Sequence, residues 1–225
     1  DGQYFHYLTK WMHALDQVAR ATGQPMFNLW ARELAAAAHS AFMYAVPGGG
    51  KRMYWKASID LSRPQVASMG HHDPLDGFIT CVELEATAAR LPAAAPGPRL
   101  AAASADFAGM LEPRQLATSD PLGLGGLLVD ANRVEQLMRQ GRWTSEPDLL
   151  EALLGAVLVG LQDYLRQPDL RSPAGQRLAF RELGLAIGLA AAALMEQATG
   201  GVRGQLAPYA ALRAEVESFW LSPAH

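Results

Sequence analysis

The spacing of apolar residues follows a helical period along most of this chain. In the first segment apolar side chains recur at positions 5, 8, 11, 12, 15 and 18, which is the i, i+3, i+4, i+7 spacing of one helix face. Thr22-Gly23-Gln24-Pro25 ends this helix, and a second predicted helix runs over 26–46 until Pro47-Gly48-Gly49-Gly50 stops it. Further helices are predicted near 73–91, 100–111, 122–140, 147–166, 174–198 and 206–220.

One stretch departs from the helical period. Lys51 to Asp60, "KRMYWKASID", is rich in aromatic residues and alternates in part, which indicates a short strand or hairpin arm. A loop through Pro64 to Gly70 follows. Because no β-sheet is expected elsewhere, the sequence predicts an all-α fold with a short β-like insertion near 51–60. Connections of this length are often functional.

Composition narrows the class of protein. The 225 residues are half hydrophobic, enough for a sizeable core in one large or two small domains, and the net charge is −3. No basic stripe is present, so a nucleic-acid surface is not expected. The single cysteine, Cys81, lies in an apolar helical pattern, which indicates core packing and a reducing, cytoplasmic location.

The chain carries no secretory signal. Its longest apolar run, Leu183 to Met195, contains two glycines and has about two-thirds of the length that a membrane span needs. It therefore indicates a helix buried inside protein, and no membrane partner is expected. The chain starts with Asp1 and not with methionine, so we expect a piece of a longer protein.

A weak internal repeat marks two helix starts. "HHDPLDGFITCVELEA" (71–86) is similar to "TSDPLGLGGLLVDANR" (118–133): in each, Asp-Pro-Leu and a glycine precede an apolar helix. Aspartate is a favoured N-cap, and proline fits the first helical turn, where no N–H is needed. "DGQYFHYLTKWMHAL" and "LAFRELGLAIGL" (178–189) open similar helices without this cap. Glycines at 155, 160, 184 and 188 are expected to permit close helix–helix approach.

Each of these strongly apolar helices is followed by a more amphipathic one. Paired helices of this kind resemble the α/α toroid, the six-hairpin barrel of many glycoside hydrolases, polysaccharide lyases and the N-acylglucosamine 2-epimerase group. The resemblance rests on "DGQYFHYLTKWMHAL", on the aromatic insertion "KRMYWKASIDLSRP" and on the repeated Asp-Pro-Leu starts. It implies a single toroid-like domain over 1–225 with about four hairpins, which lacks N-terminal hairpins of a closed ring. A helical bundle or an open α-solenoid is the alternative.

The toroid resemblance also implies a place for a site. Inner helices of a toroid start at one end and surround a central pocket there, where the 51–60 insertion would lie over the same end. Carboxyl groups and one histidine are the candidates for acid/base chemistry: Asp60, Asp73, Asp76 and His72. The candidate substrate-binding residues are aromatic, cationic or polar: Tyr7, His6, Lys10, Arg52, Tyr54, Trp55, Lys56, His71, Arg181 and Glu182.

Structural explanations compete with these assignments. Asp73 can be a helix cap, and Asp76 can favour the dipole of the first turn. His71 and His72 are adjacent, which is no standard metal spacing, so no metal is expected. Trp11 and Trp30 fall on apolar faces and are predicted to be core residues, while His13 and His39 are predicted to be structural or exposed.

The sequence therefore supports three hypotheses about function. The first is a carbohydrate-active enzyme, hydrolase- or epimerase-like, that works with acid/base carboxylates on a small carbohydrate ligand and needs no cofactor. The second is a non-catalytic helical-repeat domain that binds a partner or ligand. An isoprenoid cyclase-like toroid is a weaker third, because "DPLD" is a poor aspartate-rich motif. No nucleotide loop and no G-x-S-x-G elbow is present.

Overall fold

The computed structural model describes residues 1–91, 97–143, 146–196 and 202–222. They fall into two compact units, Asp1–Leu111 and Glu112–His225. Helices make up most of both units, which confirms the predicted all-α class. The single domain over 1–225 stays a prediction, and residues 92–96 of the Pro/Ala-rich connection lie outside the described part.

Four helices build the first unit: α1 (Phe5–Thr22), α2 (Pro25–Phe42), α3 (Asp73–Ala88) and α4 (Ala101–Ala108). Gly23 ends α1 with a φ of 70°, and its N–H donates to the carbonyl of Ala19; this left-handed geometry suits glycine. Pro25 then starts α2, since the first helical position needs no N–H donor.

Successive helices of this unit form antiparallel hairpins. Asn28, near the start of α2, donates to Asp16 in the second half of α1 at 2.8 Å. Phe5, at the start of α1, packs on Phe42 at the end of α2 with ring centroids 5.4 Å apart. In the second hairpin the backbone N–H of Leu100, just before α4, donates to Glu85 near the end of α3.

Helices α1 and α3 run parallel. Lys10 contacts Asp76, and His13, three residues further along α1, contacts Glu83, seven residues further along α3. The hydroxyl of Thr87 donates to Asp16 at 2.9 Å, further along both helices again. The starting ends of α1 and α3 therefore lie together.

Five three-residue strands complete the unit: β1 (Gly2–Tyr4), β2 (Met43–Ala45), β3 (Lys51–Met53), β4 (Lys56–Ser58) and β5 (Pro64–Val66). The predicted arm at 51–60 is confirmed as β3 and β4. The expectation of no sheet elsewhere is wrong, because β4 pairs antiparallel with both β1 and β5, and β3 pairs antiparallel with β2. Met43–Ala45 is thus a strand where the sequence predicted the end of a helix.

The second unit also contains four helices: α5 (Pro121–Arg139), α6 (Leu149–Arg166), α7 (Ala179–Glu196) and α8 (Ala210–Trp220). Two of them start later than predicted. A short 3-10 turn, Ala174–Gln176, precedes α7, and a 3-10 segment that contains Pro208 precedes α8. Proline removes an N–H donor, which disfavours an α-helix through this position.

Helices α5 and α7 pack parallel and very close. A Cβ built on Gly125 would lie 2.1 Å from the carbonyl oxygen of Gly184, and one on Gly188 would lie 2.6 Å from Gly125. Gly160 of α6 faces the backbone of Thr118 in the same way. The predicted role in close packing is thus confirmed at 160, 184 and 188. It is wrong for Gly155, where an added Cβ would meet no atom within 4 Å.

Two predictions about core residues have opposite outcomes. Cys81 is buried, and its burial raises the pKa of the thiol to about 12. Trp11 and Trp30, predicted to be core, are 66% and 45% exposed. The buried face of α1 carries Phe5, Leu8 and Met12, so Trp11 lies on a second apolar stripe that faces outward. Among the residues that the structure describes, no helix has both the length and the apolar character needed to cross a bilayer.

Candidate active site

The two Asp-Pro-Leu segments start their helices differently. Asp120 is the N-cap of α5, and its carboxylate accepts a hydrogen bond from the N–H of Gly123 at 3.1 Å. Asp73 is itself the first residue of α3, and the N–H of Asp76 donates to the carbonyl of His72. Asp73 therefore does not cap α3, and the interpretation of this residue as a helix cap is wrong.

The carboxyl group of Asp73 is buried without full hydrogen bonding. The residue is 5% exposed, and its Oδ2 has no hydrogen-bond partner. Its Oδ1 lies 3.8 Å from Nδ1 of His6, which extends from the first turn of α1. Most buried polar side-chain atoms of native proteins have a hydrogen-bond partner, and each exception calls for an explanation, of which a catalytic role is one.

Gly70 covers this carboxyl group. A Cβ built on Gly70 would lie 2.3 Å from Oδ2 of Asp73 and 2.6 Å from its Cγ. The N–H of Asp73 donates to the carbonyl of Gly70 at 3.3 Å, so the loop closes on the carboxyl group. The loop before α3 thus requires glycine for a close approach, although φ at this position is ordinary.

Asp76, one turn further along α3, is held from α1. Its Oδ2 accepts hydrogen bonds from the hydroxyl of Thr9 at 2.5 Å and from Nζ of Lys10 at 2.8 Å. The side chain of Asp76 is 8% exposed, whereas that of Lys10 is 58% exposed. The two carboxyl groups of α3 therefore have different environments.

Aromatic rings surround His6, the side chain that faces the Asp73 carboxyl group. The Tyr4 ring centroid is 5.2 Å from that of Trp55, 5.6 Å from that of His6 and 5.4 Å from that of Tyr7. Nζ of Lys56 lies 5.0 Å from the Tyr4 centroid, within cation–π range. This arrangement results from pairing between β1 and β4, which places Tyr4 opposite Lys56.

These side chains form one cluster, which we call the α1–α3 corner. It consists of Tyr4, His6, Tyr7, Lys10, Trp55, Lys56, Asp73 and Asp76. The structure thus brings together the 51–60 arm and the 71–76 segment, as the sequence analysis expected. His71 and His72 directly precede Asp73, and their rings stack with centroids 4.3 Å apart.

The α1–α3 corner presents aromatic surface to solvent. Tyr7 is 54% exposed and Trp55 is 39% exposed. Trp11, one turn beyond Tyr7 on the same face of α1, extends this surface. The sequence analysis missed this role of Trp11, although the spacing of i and i+4 between Tyr7 and Trp11 is a signal that could have indicated it.

Asp60 has a local role in the arm. Its carboxylate accepts hydrogen bonds from the hydroxyls of Ser58 at 2.6 Å and Ser62 at 2.8 Å. These bonds lower the pKa of Asp60 to about 2. They close a turn in which Leu61 has a φ of 60°, a strained value for a non-glycine residue. A carboxyl group with so low a pKa is a poor proton donor at neutral pH.

Arg52 lies on β3, which pairs with β2, and Tyr54 directly follows β3. Arg52 is exposed and stands opposite Tyr44 in the β2–β3 pairing. The Tyr54 ring stacks on that of Tyr44 with centroids 4.4 Å apart. Tyr54 therefore packs against β2, whereas the neighbouring Trp55 ring packs on Tyr4.

Arg181 and Glu182 belong to the second unit, where both have protein partners. Arg181 binds Asp120, with Nη1 and Oδ1 2.6 Å apart. Glu182 is buried and accepts from Nε of Arg177 at 2.9 Å and from Nε1 of Trp220 at 2.8 Å. Both charged side chains are therefore paired within the protein.

Two further findings concern identity and metals. Comparison with protein-family models, with curated proteins and with solved structures found no match. Within the described ranges, no group of three or more His, Cys, Asp or Glu side chains is arranged to hold a metal ion.

Proposed function

We propose that this protein is a carbohydrate-active enzyme whose acid/base group is Asp73, at the α1–α3 corner. One observation carries the proposal: a buried carboxyl group that caps no helix and keeps an oxygen without a hydrogen-bond partner faces His6, whose ring packs among those of Tyr4 and Tyr7. A carboxyl group placed for its helix or for stability would be expected to have its hydrogen bonds satisfied.

The neighbouring side chains suit a sugar ligand. Flat aromatic rings pack on the apolar faces of pyranose rings, and Tyr7 and Trp55 offer such surfaces. The ammonium groups of Lys10 and Lys56 and the imidazole of His6 can bind hydroxyl groups around them. This combination of stacking surface and polar groups distinguishes a carbohydrate site from a purely apolar pocket.

Glycoside hydrolysis is the reaction that this arrangement supports best. The Asp73 carboxyl group donates its proton to the glycosidic oxygen, and the bond from this oxygen to the anomeric carbon breaks. Water adds to the anomeric carbon and loses a proton to the Asp73 carboxylate, which restores the acid form of Asp73. Asp76, whose carboxyl group binds the ammonium group of Lys10, stabilises the positive charge that develops on the sugar ring. These steps need no cofactor.

The helix arrangement within each unit supports a toroid-type architecture for this enzyme. In the first unit α1 and α3 lie parallel and each is followed by an antiparallel partner; in the second unit α5 and α7 repeat this pattern. In such an architecture the parallel helices are the inner ones. The α1–α3 corner lies at the starting ends of α1 and α3; the toroid resemblance predicts a site at such helix starts.

The proposed function is tested by incubating the protein with a panel of disaccharides and measuring the monosaccharides that are released. We expect Asp73→Asn to lose turnover of any substrate that the wild type cleaves by about 100-fold or more, as for removal of a general acid. Asp163→Asn, on the exposed surface of α6, is the matched control and keeps wild-type turnover. Asp60→Asn is also expected to keep wild-type turnover. If Asp60→Asn lost turnover and Asp73→Asn kept it, the assignment of Asp73 would be contradicted.

A non-catalytic helical-repeat domain is the second candidate function. It is favoured by the contacts of Asp76 and Glu83, which join α3 to α1 as structural ion pairs do. In this case Asp73→Asn would leave sugar binding unchanged. Titration of wild-type and Asp73→Asn protein with the same disaccharides therefore separates the two candidates even if turnover is slow.

A further inference from the structure

The second unit contains a cavity of about 310 Å³ that the proposed function does not use. It lies among the start of α5, the end of α6 and the segment that leads into α7. Its lining includes Ser119, Asp120, Gln167, Gln176 and Arg181. Because all of these residues belong to the second unit, the cavity can be considered independently of the α1–α3 corner.

Buried charges hold one side of this cavity in place. Arg177 binds Glu182 through two hydrogen bonds, and its guanidinium carbon lies 3.7 Å from the ring centroid of Phe219. The hydrogen bond to Glu182 raises the pKa of Arg177, so this arginine stays charged. Trp220 donates to the same carboxylate. Paired and packed in this way, Arg177 and Glu182 form a rigid wall with no net charge.

A second ion pair stands at the edge of the cavity. Arg181 binds one oxygen of Asp120, while the other oxygen of Asp120 caps α5 through Gly123. A ligand anion on Arg181 would compete with Asp120 for the guanidinium group. A ligand cation on Asp120 would compete with Arg181 and with the cap. Charged ligands are therefore disfavoured, because each disturbs an existing interaction.

The other polar groups match hydroxyl groups. The amides of Gln167 and Gln176 each donate and accept hydrogen bonds, and the hydroxyl of Ser119 does both. Sugar hydroxyls also donate and accept. Ligand pockets range from about 300 to 1,000 Å³, so this cavity has the size for one small ring and not for an oligosaccharide.

We propose that this cavity binds a single neutral, polyhydroxylated ring, such as a monosaccharide or a cyclic polyol. The side-chain amides of Gln167 and Gln176 bind its hydroxyls, and the two ion pairs hold the walls and exclude charged analogues. The site is separate in its residues from the α1–α3 corner, and it does not depend on the catalytic role of Asp73.

Saturation-transfer NMR on the full chain tests this site with four probes: glucose, myo-inositol, glucuronate and glucosamine. We expect saturation transfer and saturable binding for glucose or myo-inositol, and at least about tenfold weaker binding for the anionic and cationic probes. The double variant Gln167→Ala/Gln176→Ala should bind the neutral probe at least about tenfold more weakly than the wild type does.

Two controls separate this proposal from the proposed function. Gln162→Ala removes an exposed glutamine of α6 that does not line the cavity, and it should bind as the wild type does. Asp73→Asn should also keep the binding that the double variant loses. No binding of either neutral probe, equal binding by the double variant, or preference for a charged probe would each overturn the cavity proposal, whatever happens to turnover.

Discussion

Asp73 and Asp120 show how one tripeptide can have two roles. Both precede Pro-Leu, and both were expected to cap a helix. Asp120 does so, but α3 begins one residue earlier relative to its aspartate than α5 does. The carboxyl group of Asp73 is consequently turned away from the helix N–H groups and lies against Gly70. The residue at which each helix starts thus distinguishes Asp73, the candidate acid/base residue, from Asp120, the helix cap.

Gly70→Ala is a direct test of this packing. The new methyl group would overlap the Asp73 carboxyl group, so either the loop or the carboxyl group must move. We expect a loss of about 1–3 kcal/mol in the free energy of unfolding and weaker sugar binding. Urea denaturation measures the first effect. Gly175→Ala, where an added Cβ meets no atom within 4 Å, is the control and should change neither quantity.

Asp16 makes stability depend on pH. Burial of this α1 residue raises the pKa of its carboxyl group to about 6. The negative charge of Glu83 also raises the pKa, whereas the hydrogen bond from Asn28 lowers it. The folded protein therefore holds this proton more tightly than the unfolded chain, and stability should fall as the pH rises from about 4 to about 6 and then level off. The difference in pKa corresponds to about 3 kcal/mol at most.

Asp16→Asn removes this titration. Unfolding free energies of the variant, measured by urea denaturation between pH 4 and 7, should lack the fall in stability that the wild type shows. Asp148→Asn, at an exposed position, should keep it. If the wild-type and Asp16→Asn curves run parallel over this range, the raised pKa is wrong.

Two adjacent glycines of α5 provide a matched pair of variants. Gly125 lies against the backbone of α7, whereas a Cβ on Gly126 would meet no atom within 4 Å. Gly126→Ala should stabilise the protein by up to about 1 kcal/mol, because alanine is the better helix former. Gly125→Ala should destabilise it by several-fold more, because two backbones must separate. Thermal unfolding distinguishes them, and equal shifts in Tm would contradict the close α5–α7 contact.

The helices could be predicted from the sequence to a large extent, whereas the only strands that could be predicted were β3 and β4 of the 51–60 arm. Helices of 11 to 19 residues repeat their apolar period several times, so periodicity reveals them. Strands of three residues contain no full pattern, and β1 joins β4 more than 50 positions away. Periodicity also cannot tell which of two apolar stripes faces the core, and this is why Trp11 was misplaced.

The candidate site was predictable in its position and not in its partners. Helix-start signals located Asp73 and Asp76, and the aromatic arm was recognisable from its composition. Lys10 and Asp76 are 66 residues apart, and their pairing depends on the parallel packing of α1 and α3. Arg181 likewise pairs with Asp120, 61 residues away, and no local pattern connects these two residues.

For the molecule as a whole, we propose that Asp73 acts in catalysis, whereas Asp120 stabilises the fold as the N-cap of α5. Unfolding free energy and disaccharide turnover, measured together on Asp73→Asn and Asp120→Ala, test this division. We predict that Asp73→Asn loses turnover without loss of stability, because it removes a buried, incompletely bonded carboxyl group. Asp120→Ala should lose about 1 kcal/mol with its cap and keep its turnover. Wild-type turnover and stability of the Asp73→Asn protein would contradict this division of roles. A loss of unfolding free energy in Asp73→Asn with none in Asp120→Ala would also contradict it.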